Sequence, residues 1–167
     1  MDIKECISIV ENQEKILRFS SFNRRDVWEL GQQMVSGILK DNMKLSLSIR
    51  LLHGFNLFQY APEGITIDNE SWMTRKFNVV RDFEISSLLN FLRYRDRNQT
   101  LQDRGYDPQR YALSGGSFPI HISGTGIIGA VVASGMPHLI DHGFIVDNIS
   151  RFLNIKDVPV IPVDTKI

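Results

Sequence analysis

Alternating apolar and polar residues predict strands early in the chain and again in its last third. In Leu45–Leu51 every second residue is apolar, which is typical of a strand with one buried face. After a His-Gly pair, Phe55 begins a partner strand, and the glycine would close the hairpin. Ser117–Ser123 and Ile127–Ser134 are rich in β-branched residues and predict a second hairpin. With Ile16–Phe22 as a further strand, the pattern contains five.

Helical spacing of apolar residues marks two helices with clear starts. Asn23 is a good N-cap for the first, which should end near Asp41. Pro137 suits the first turn of another helix near the end of the chain. The apolar face of the first helix comprises Val27, Leu30, Met34, Ile38 and Leu39.

A longer helix is predicted between the two hairpins. Asn69 or Ser71 would cap it, and it should run to about Arg95. The polar segment 98–110 contains a glycine and a proline and is predicted to be a loop. The tail after residue 153 is expected to be extended.

Length and composition indicate one globular domain, and they exclude several partner classes. The 167 residues fit a single domain, 1–167, with a core of about 16–153 and a tail of 154–167. Basic and acidic residues number 19 each, so no net field attracts nucleic acid. Arg93, Arg95 and Arg97 cluster at the end of the long helix, where cations complement the helix dipole, so they predict no nucleic-acid site.

Cysteine and histidine usage predicts a cytoplasmic protein without a metal site. Cys6 is the only cysteine, which excludes an intrachain disulfide and a thiolate zinc site. His53, His121 and His138 are isolated and match no metal-binding spacing. The N-terminus lacks the pattern of a signal peptide, and no apolar run approaches the roughly 18 residues that span a membrane.

One glycine motif resembles a nucleotide fingerprint by its letters alone. Gly124–Gly129 reads G-x-G-x-x-G, which binds a pyrophosphate only when a helix follows. The residues that follow have the composition of a buried strand. A hairpin turn is therefore the favoured interpretation.

The double glycine within Ser114–Pro119 is a second candidate. Adjacent glycines allow unusual backbone conformations, and their N–H groups could face an anion. The alternative is a simple bend into the strand. Neither Ser117 nor Ser134 lies in a G-x-S-x-G elbow, so a hydrolase nucleophile is not supported.

Lys76 is the most informative single residue because it lies on an otherwise apolar helical stripe. The stripe is Trp72, Lys76, Val79, Phe83 and Ser86. Such a lysine either extends its ammonium group to water or presents it inside a pocket, and the first outcome is the more common and is favoured. In a pocket it would bind an anion, or act as a base if burial lowered its pKa.

Asp141 and His142 are neighbours at the start of the last helix. Adjacent helical residues point about 100° apart, so Asp141 cannot readily orient His142 as in a catalytic triad. His142 could be a ligand or a proton carrier with a partner from elsewhere. A capping carboxylate beside a packed histidine is equally natural.

Taken in order, several short motifs resemble one uncharacterised cytosolic branch of the haem-degrading (GlcG/HbpS-like) superfamily. The resemblance runs from about Phe22 to Leu153. Its motifs are Trp28–Gly31, Trp72–Lys76, Ser86–Ser87, Gly115–Ile120, Gly126–Gly135 and Asp141–His142.

The resemblance implies a fold, an assembly and a cofactor class. The fold is α/β of the α+β type, with an antiparallel five-stranded sheet flanked by helices, similar to profilin. The assembly is a homo-oligomer, a dimer or a multiple of dimers. Haem is the cofactor that the resemblance alone implies, and the residues by themselves name none.

Three hypotheses of function follow, and whether the chain is an enzyme stays open. The first is a pocket for a small anionic ligand between the long helix and the glycine-rich strand. Its residues would be Trp72, Lys76, Gly115, Gly116, Ser117, Phe118 and His142. The second is a haem- or tetrapyrrole-binding or -degrading enzyme, and the third is an interaction scaffold without a ligand.

Overall fold

A computed structural model describes residues 1–167 and is built around a four-stranded antiparallel sheet. The strand order is β2-β1-β4-β3, so the two predicted hairpins meet through β1 and β4 at the centre. The strands are β1 Ser46–Leu51, β2 Asn56–Tyr60, β3 Ser117–Ile122 and β4 Gly126–Ser134. The α+β fold with an antiparallel sheet and flanking helices is confirmed, whereas the number of five strands is wrong.

The missing fifth strand is the segment predicted at 16–22. Only Phe19 pairs there, through a single parallel bridge with Ile122. Its N–H donates to the carbonyl of His121, and its carbonyl accepts from the N–H of Ser123. Leu17 and Phe19 are buried in the main core. The segment is apolar because it covers this core, and it needs no ladder to do so.

The chain begins with a helix that the hydrophobic pattern did not reveal. This helix, α1, spans Ile3–Ile16 and starts at a capping box in which Asp2 and Glu5 exchange hydrogen bonds. The next helix, α2, spans Arg24–Lys40, and its Asn23 N-cap and Asp41 end confirm the prediction.

The predicted long helix is in fact two helices. They are α3, Ile67–Phe83, and α4, Ser87–Asp96. Glu84 adopts a left-handed backbone (φ 57°) that ends α3, and the Ser86 hydroxyl caps α4 by accepting from the N–H of Leu89. The last helix, α5, spans His138–Phe152 and starts after Pro137 as predicted.

Helices cover both faces of the sheet. The main core lies between the sheet and helices α2 and α5, and α3 packs on the opposite face through Met73 and Phe77. Strand β1 is therefore buried on both faces, not on one. Its second face carries Ser48 and Arg50, and the Arg50 guanidinium donates to Glu70 on α3 at 2.7 Å.

Helices α1 and α4 pack together beside β3, and α1 also contacts the tail. The tail after residue 154 contains neither a helix nor a strand, and the N–H of Thr165 closes a turn onto the carbonyl of Pro162. No helix combines the length and the apolar character that crossing a bilayer requires.

Candidate functional site

An open cleft of about 270 Å³ lies at the end of the sheet where β4 stops and the chain enters β3. Helix α3 forms one wall, and the start of α5 forms the other. The lining residues are Asp68, Asn69, Trp72, Lys76, Ser114, Ser134, Gly135, Met136 and Asp141.

The Lys76 side chain is buried among protein atoms at the base of this cleft, so the favoured prediction that it reaches water is wrong. Its side chain is 3% exposed, and its ammonium pairs with the carboxylate of Asp141 at 2.8 Å. The same ammonium donates to the carbonyl oxygen of Ala133 at 3.1 Å. An ammonium group has three protons, so one proton has no acceptor within the protein.

Asp141 is the functional candidate that sequence reasoning did not place beside Lys76. Its carboxylate accepts from Lys76 and from the backbone N–H of Met136 at 3.0 Å. The two charged residues are 65 positions apart, and no local spacing connects them. The only available signal was a charge in an apolar stripe, because a buried charge requires an opposite one.

Burial shifts both pKa values of this pair toward the neutral forms. Removal from water lowers the pKa of Lys76, while the Asp141 charge opposes that change. The same loss of solvent raises the pKa of Asp141, and the Lys76 ammonium opposes that shift. Burial therefore opposes the charged forms of both groups, and their mutual attraction favours those forms.

The double glycine is required by close packing against this pair. A side-chain carbon on Gly116 would lie 2.7 Å from the Lys76 ammonium nitrogen and 2.5 Å from the Ala133 carbonyl oxygen. Gly116 also has φ 121°, a conformation that side chains disfavour. A side-chain carbon on Gly115 would lie 2.6 Å from the His138 carbonyl oxygen. Gly116 therefore lets the backbone approach the buried pair, and Gly115 lets it approach the start of α5.

Trp72 lies on the α3 wall with its side chain partly exposed. The Arg75 guanidinium carbon lies 4.0 Å from the centre of the Trp72 ring, a cation–π contact. Trp72 thus contributes a flat apolar surface to the cleft, and Arg75 places positive charge beside it.

Of the predicted site residues only Trp72 and Lys76 line the cleft; Gly115 and Gly116 lie behind it, and the other three side chains lie apart from it. Phe118 is fully buried in the main core on the opposite face of the sheet. Ser117 is also buried; its N–H donates to the Ser87 hydroxyl at 3.0 Å, and its own hydroxyl has no partner. His142 lies behind the cleft, against α1 rather than against Lys76. Strand alternation and helix rotation turn these side chains inward.

His142 is a buried, neutral histidine. Its Nε2 lies 2.8 Å from the side-chain oxygen of Gln13, and its Nδ1 has no partner. Complete burial, and then the nearby His138, lower the pKa of His142 to about 3. The surroundings of His142 therefore match the interpretation of a packed histidine.

Comparison with known proteins gives consistent family matches. A family model described as "Haem degrading protein HbpS-like" matches residues 22–150. A UPF0303 protein of Serratia proteamaculans is 37% identical over 157 residues, which cover 93% of this chain and 97% of that protein. A UPF0303 protein of Brucella melitensis is 40% identical over 151 residues, covering 87% of this chain and 86% of that protein.

Solved structures share the fold at lower identity. The Ybr137w protein superposes with a TM-score of 0.82 and 24% identity, covering 89% of this chain and 87% of that one. A haem complex of PduOC superposes with a TM-score of 0.64 and 13% identity, covering 81% of this chain and 96% of that one. At these identities the likeness extends to the fold alone.

Proposed function

Because this chain belongs to the HbpS-like family of haem-degrading proteins and is similar to UPF0303 proteins, we propose that it is a ligand-binding homo-oligomer. Each subunit binds a small ligand with an anionic or hydrogen-bond-accepting group in the cleft at Lys76. The observation that carries this proposal is the buried Lys76 ammonium, whose third proton has no acceptor within the protein.

The charge balance of the cleft narrows the ligand class. Asp141 offsets the charge of Lys76, and Asp68 on the wall has a charge opposite to that of Arg75 beside Trp72. A ligand with several negative charges, such as a phosphate ester, would therefore find no excess of positive charge there. A single carboxylate or a carbonyl group fits better, with Trp72 and Met136 against the apolar part of the ligand.

Haem is the second candidate, because the family description and the PduOC complex both name it. Haem iron is ligated by histidine, cysteine, methionine or tyrosine, and Met136 is the only such residue lining the cleft. His142 is enclosed and bonded to Gln13. The cleft residues of one subunit therefore do not fit a histidine-ligated haem. A haem carboxylate could still contact Lys76.

Native mass spectrometry of the protein as purified tests the proposal. We expect a discrete oligomer with a defined extra mass per subunit. The extra mass should be absent from the K76M/D141N variant. The double variant is used because K76M alone would leave an unpaired buried carboxylate, which typically costs about 3–5 kcal/mol. K156M, which removes an exposed lysine from the tail, is the matched control and should retain the mass.

Haemin titration distinguishes the two candidates. If haem carboxylates bind at Lys76, the absorbance shift should saturate in wild type, weaken in K76M/D141N and persist in H142Q. A wild type that carries no extra mass and binds neither haemin nor a monocarboxylate probe would contradict the proposed function. If the double variant kept the extra mass, Lys76 would have no part in binding the ligand.

A further inference from the structure

The outer edge of β2 is open. Strand β2 is the first in the sheet order, so one of its edges faces away from β1. The backbone groups of Asn56–Tyr60 make no hydrogen bond to any segment other than β1. The strand also contains neither a charged residue nor a proline. An edge of this kind is a template for pairing with another strand.

The opposite edge of the sheet is closed, which makes the contrast informative. Along β3 the N–H of Ser117 donates to the Ser87 hydroxyl, and Pro119 has no N–H to offer. Farther along, the His121 carbonyl accepts from Phe19 at 2.9 Å. The chain thus protects the β3 edge at three alternate residues, whereas the β2 edge has no such protection.

Exposed aromatic residues lie beside the open edge. Trp28 on α2 is 56% exposed, and Phe55 at the start of β2 is 57% exposed. The Trp28 ring centre is 6.2 Å from that of Phe58, which is seated tightly on Gly31 of α2. Large exposed aromatic side chains beside an unpaired edge are typical of protein interfaces.

We propose that β2 pairs antiparallel with β2 of a second copy about a twofold axis, forming a continuous eight-stranded sheet. This proposal rests on the homo-oligomer of the proposed function and names its surface, which we call the β2 edge (Trp28 and Phe55–Tyr60). A twofold contact places the same patch on both copies, so each Trp28 would cover the aromatic residues of the partner.

A second copy is favoured over a different protein by charge and by area. Strand β2 itself carries no charge, and the charges beside it have both signs: the Arg24 guanidinium lies 5.8 Å from the centre of the Phe55 ring, and the Glu70 carboxylate accepts from Gln59. Basic and acidic residues are equal in number over the whole chain, so no net charge repels a second copy. The exposed halves of Trp28 and Phe55 supply on the order of 200 Å² of the roughly 800 Å² per partner in a stable interface. The strand edge and the adjoining surface of α2 supply the rest.

Light scattering and hydrogen exchange test the β2 edge. We expect wild type to be an oligomer with slowly exchanging amides across Asn56–Tyr60. W28E should raise the subunit dissociation constant at least tenfold and speed exchange of those amides. V163E is the matched control, because Val163 is 65% exposed on the distant tail, and its mass should equal that of wild type.

A second variant keeps the test decisive if W28E is poorly folded. F55K places a like charge on both copies at an exposed position of the β2 edge, beside Arg24, and should weaken the contact in the same way. A monomeric wild type, an unchanged mass in both folded variants, or freely exchanging β2 amides in wild type would each overturn the proposal. Lys76 and Trp28 lie on opposite faces of the sheet, so the edge variants should leave ligand binding at Lys76 unchanged. A failure of the dimer proposal can therefore be told apart from a failure of the ligand proposal.

Discussion

At the scale of single residues, the cleft depends on close contact between a charged pair and a glycine. Lys76 and Asp141 are nearly inaccessible to water, and their mutual attraction must offset the cost of burying both charges. Gly116 lies against them with no room for a side chain. The geometry of the pair therefore depends on backbone that only glycine can supply.

Replacing Gly116 by alanine should destabilise the protein more than the unfavourable φ of that residue can explain. The new carbon would collide with the Ala133 carbonyl, so G116A should cost about 3 kcal/mol or more in the free energy of unfolding. G126A is the control: Gly126 has the same φ of 121°, but a side-chain carbon added there would meet no atom within 4 Å, so a cost of about 1–2 kcal/mol is expected. Urea unfolding measures both, and equal costs would contradict the packing argument.

At the scale of elements, the break between α3 and α4 places α4 against α1 and against the start of β3. The left-handed Glu84 and the Ser86 cap turn the chain so that α4 packs on α1 instead of continuing along the sheet. The Ser86 N–H also donates to the carboxylate of Glu14 on α1 at 2.7 Å. The same turn leaves Ser87 in position to accept from the N–H of Ser117.

S86A should remove the cap of α4 while leaving the backbone bond to Glu14 available. We expect S86A to lower the free energy of unfolding by about 1–2 kcal/mol, because the lost cap is buried. S36A removes an exposed hydroxyl that bonds within α2, and it should change stability by less than about 0.5 kcal/mol. Thermal unfolding of both variants compares them, and matching stabilities would show that the Ser86 cap contributes nothing.

At the scale of the whole molecule, the two chain termini enclose His142. Gln13 of α1 contacts the His142 ring and also donates to the carbonyl of Pro159 in the tail at 2.7 Å. Both α1 and the tail lie outside the matched residues 22–150. Residues outside the matched region therefore contact His142 and contribute to its burial.

Stability should fall on acidification, in part through His142. Its pKa is about 3 in the folded protein and 6.5 when unfolded, so the unfolded state takes up the proton first. The contribution is complete above the unfolded pKa of 6.5 and is lost progressively as the pH falls toward 3. Between about pH 6.5 and about pH 5 the loss should be roughly 1.5 kcal/mol.

The variant H142Q cannot titrate at this position, so it isolates the effect from that of other groups. Its free energy of unfolding should decline less than that of wild type over the same pH range. Parallel declines in wild type and H142Q, measured by urea unfolding, would mean that His142 is solvated or shares its proton.

The sequence by itself determined the local features of this protein: both hairpins, the Asn23 cap of α2, the start of α5 after Pro137 and the family resemblance. Each of these depends on residues close together in the chain, where spacing and backbone preference act directly. The tertiary structure alone decided the pairing of Lys76 with Asp141, the inward position of His142, and the split of the long helix at Glu84. It also reduced the segment at 16–22 to the single bridge at Phe19. These outcomes depend on which distant groups meet in the folded core, where a buried charge needs a partner and an apolar segment needs only a surface to cover.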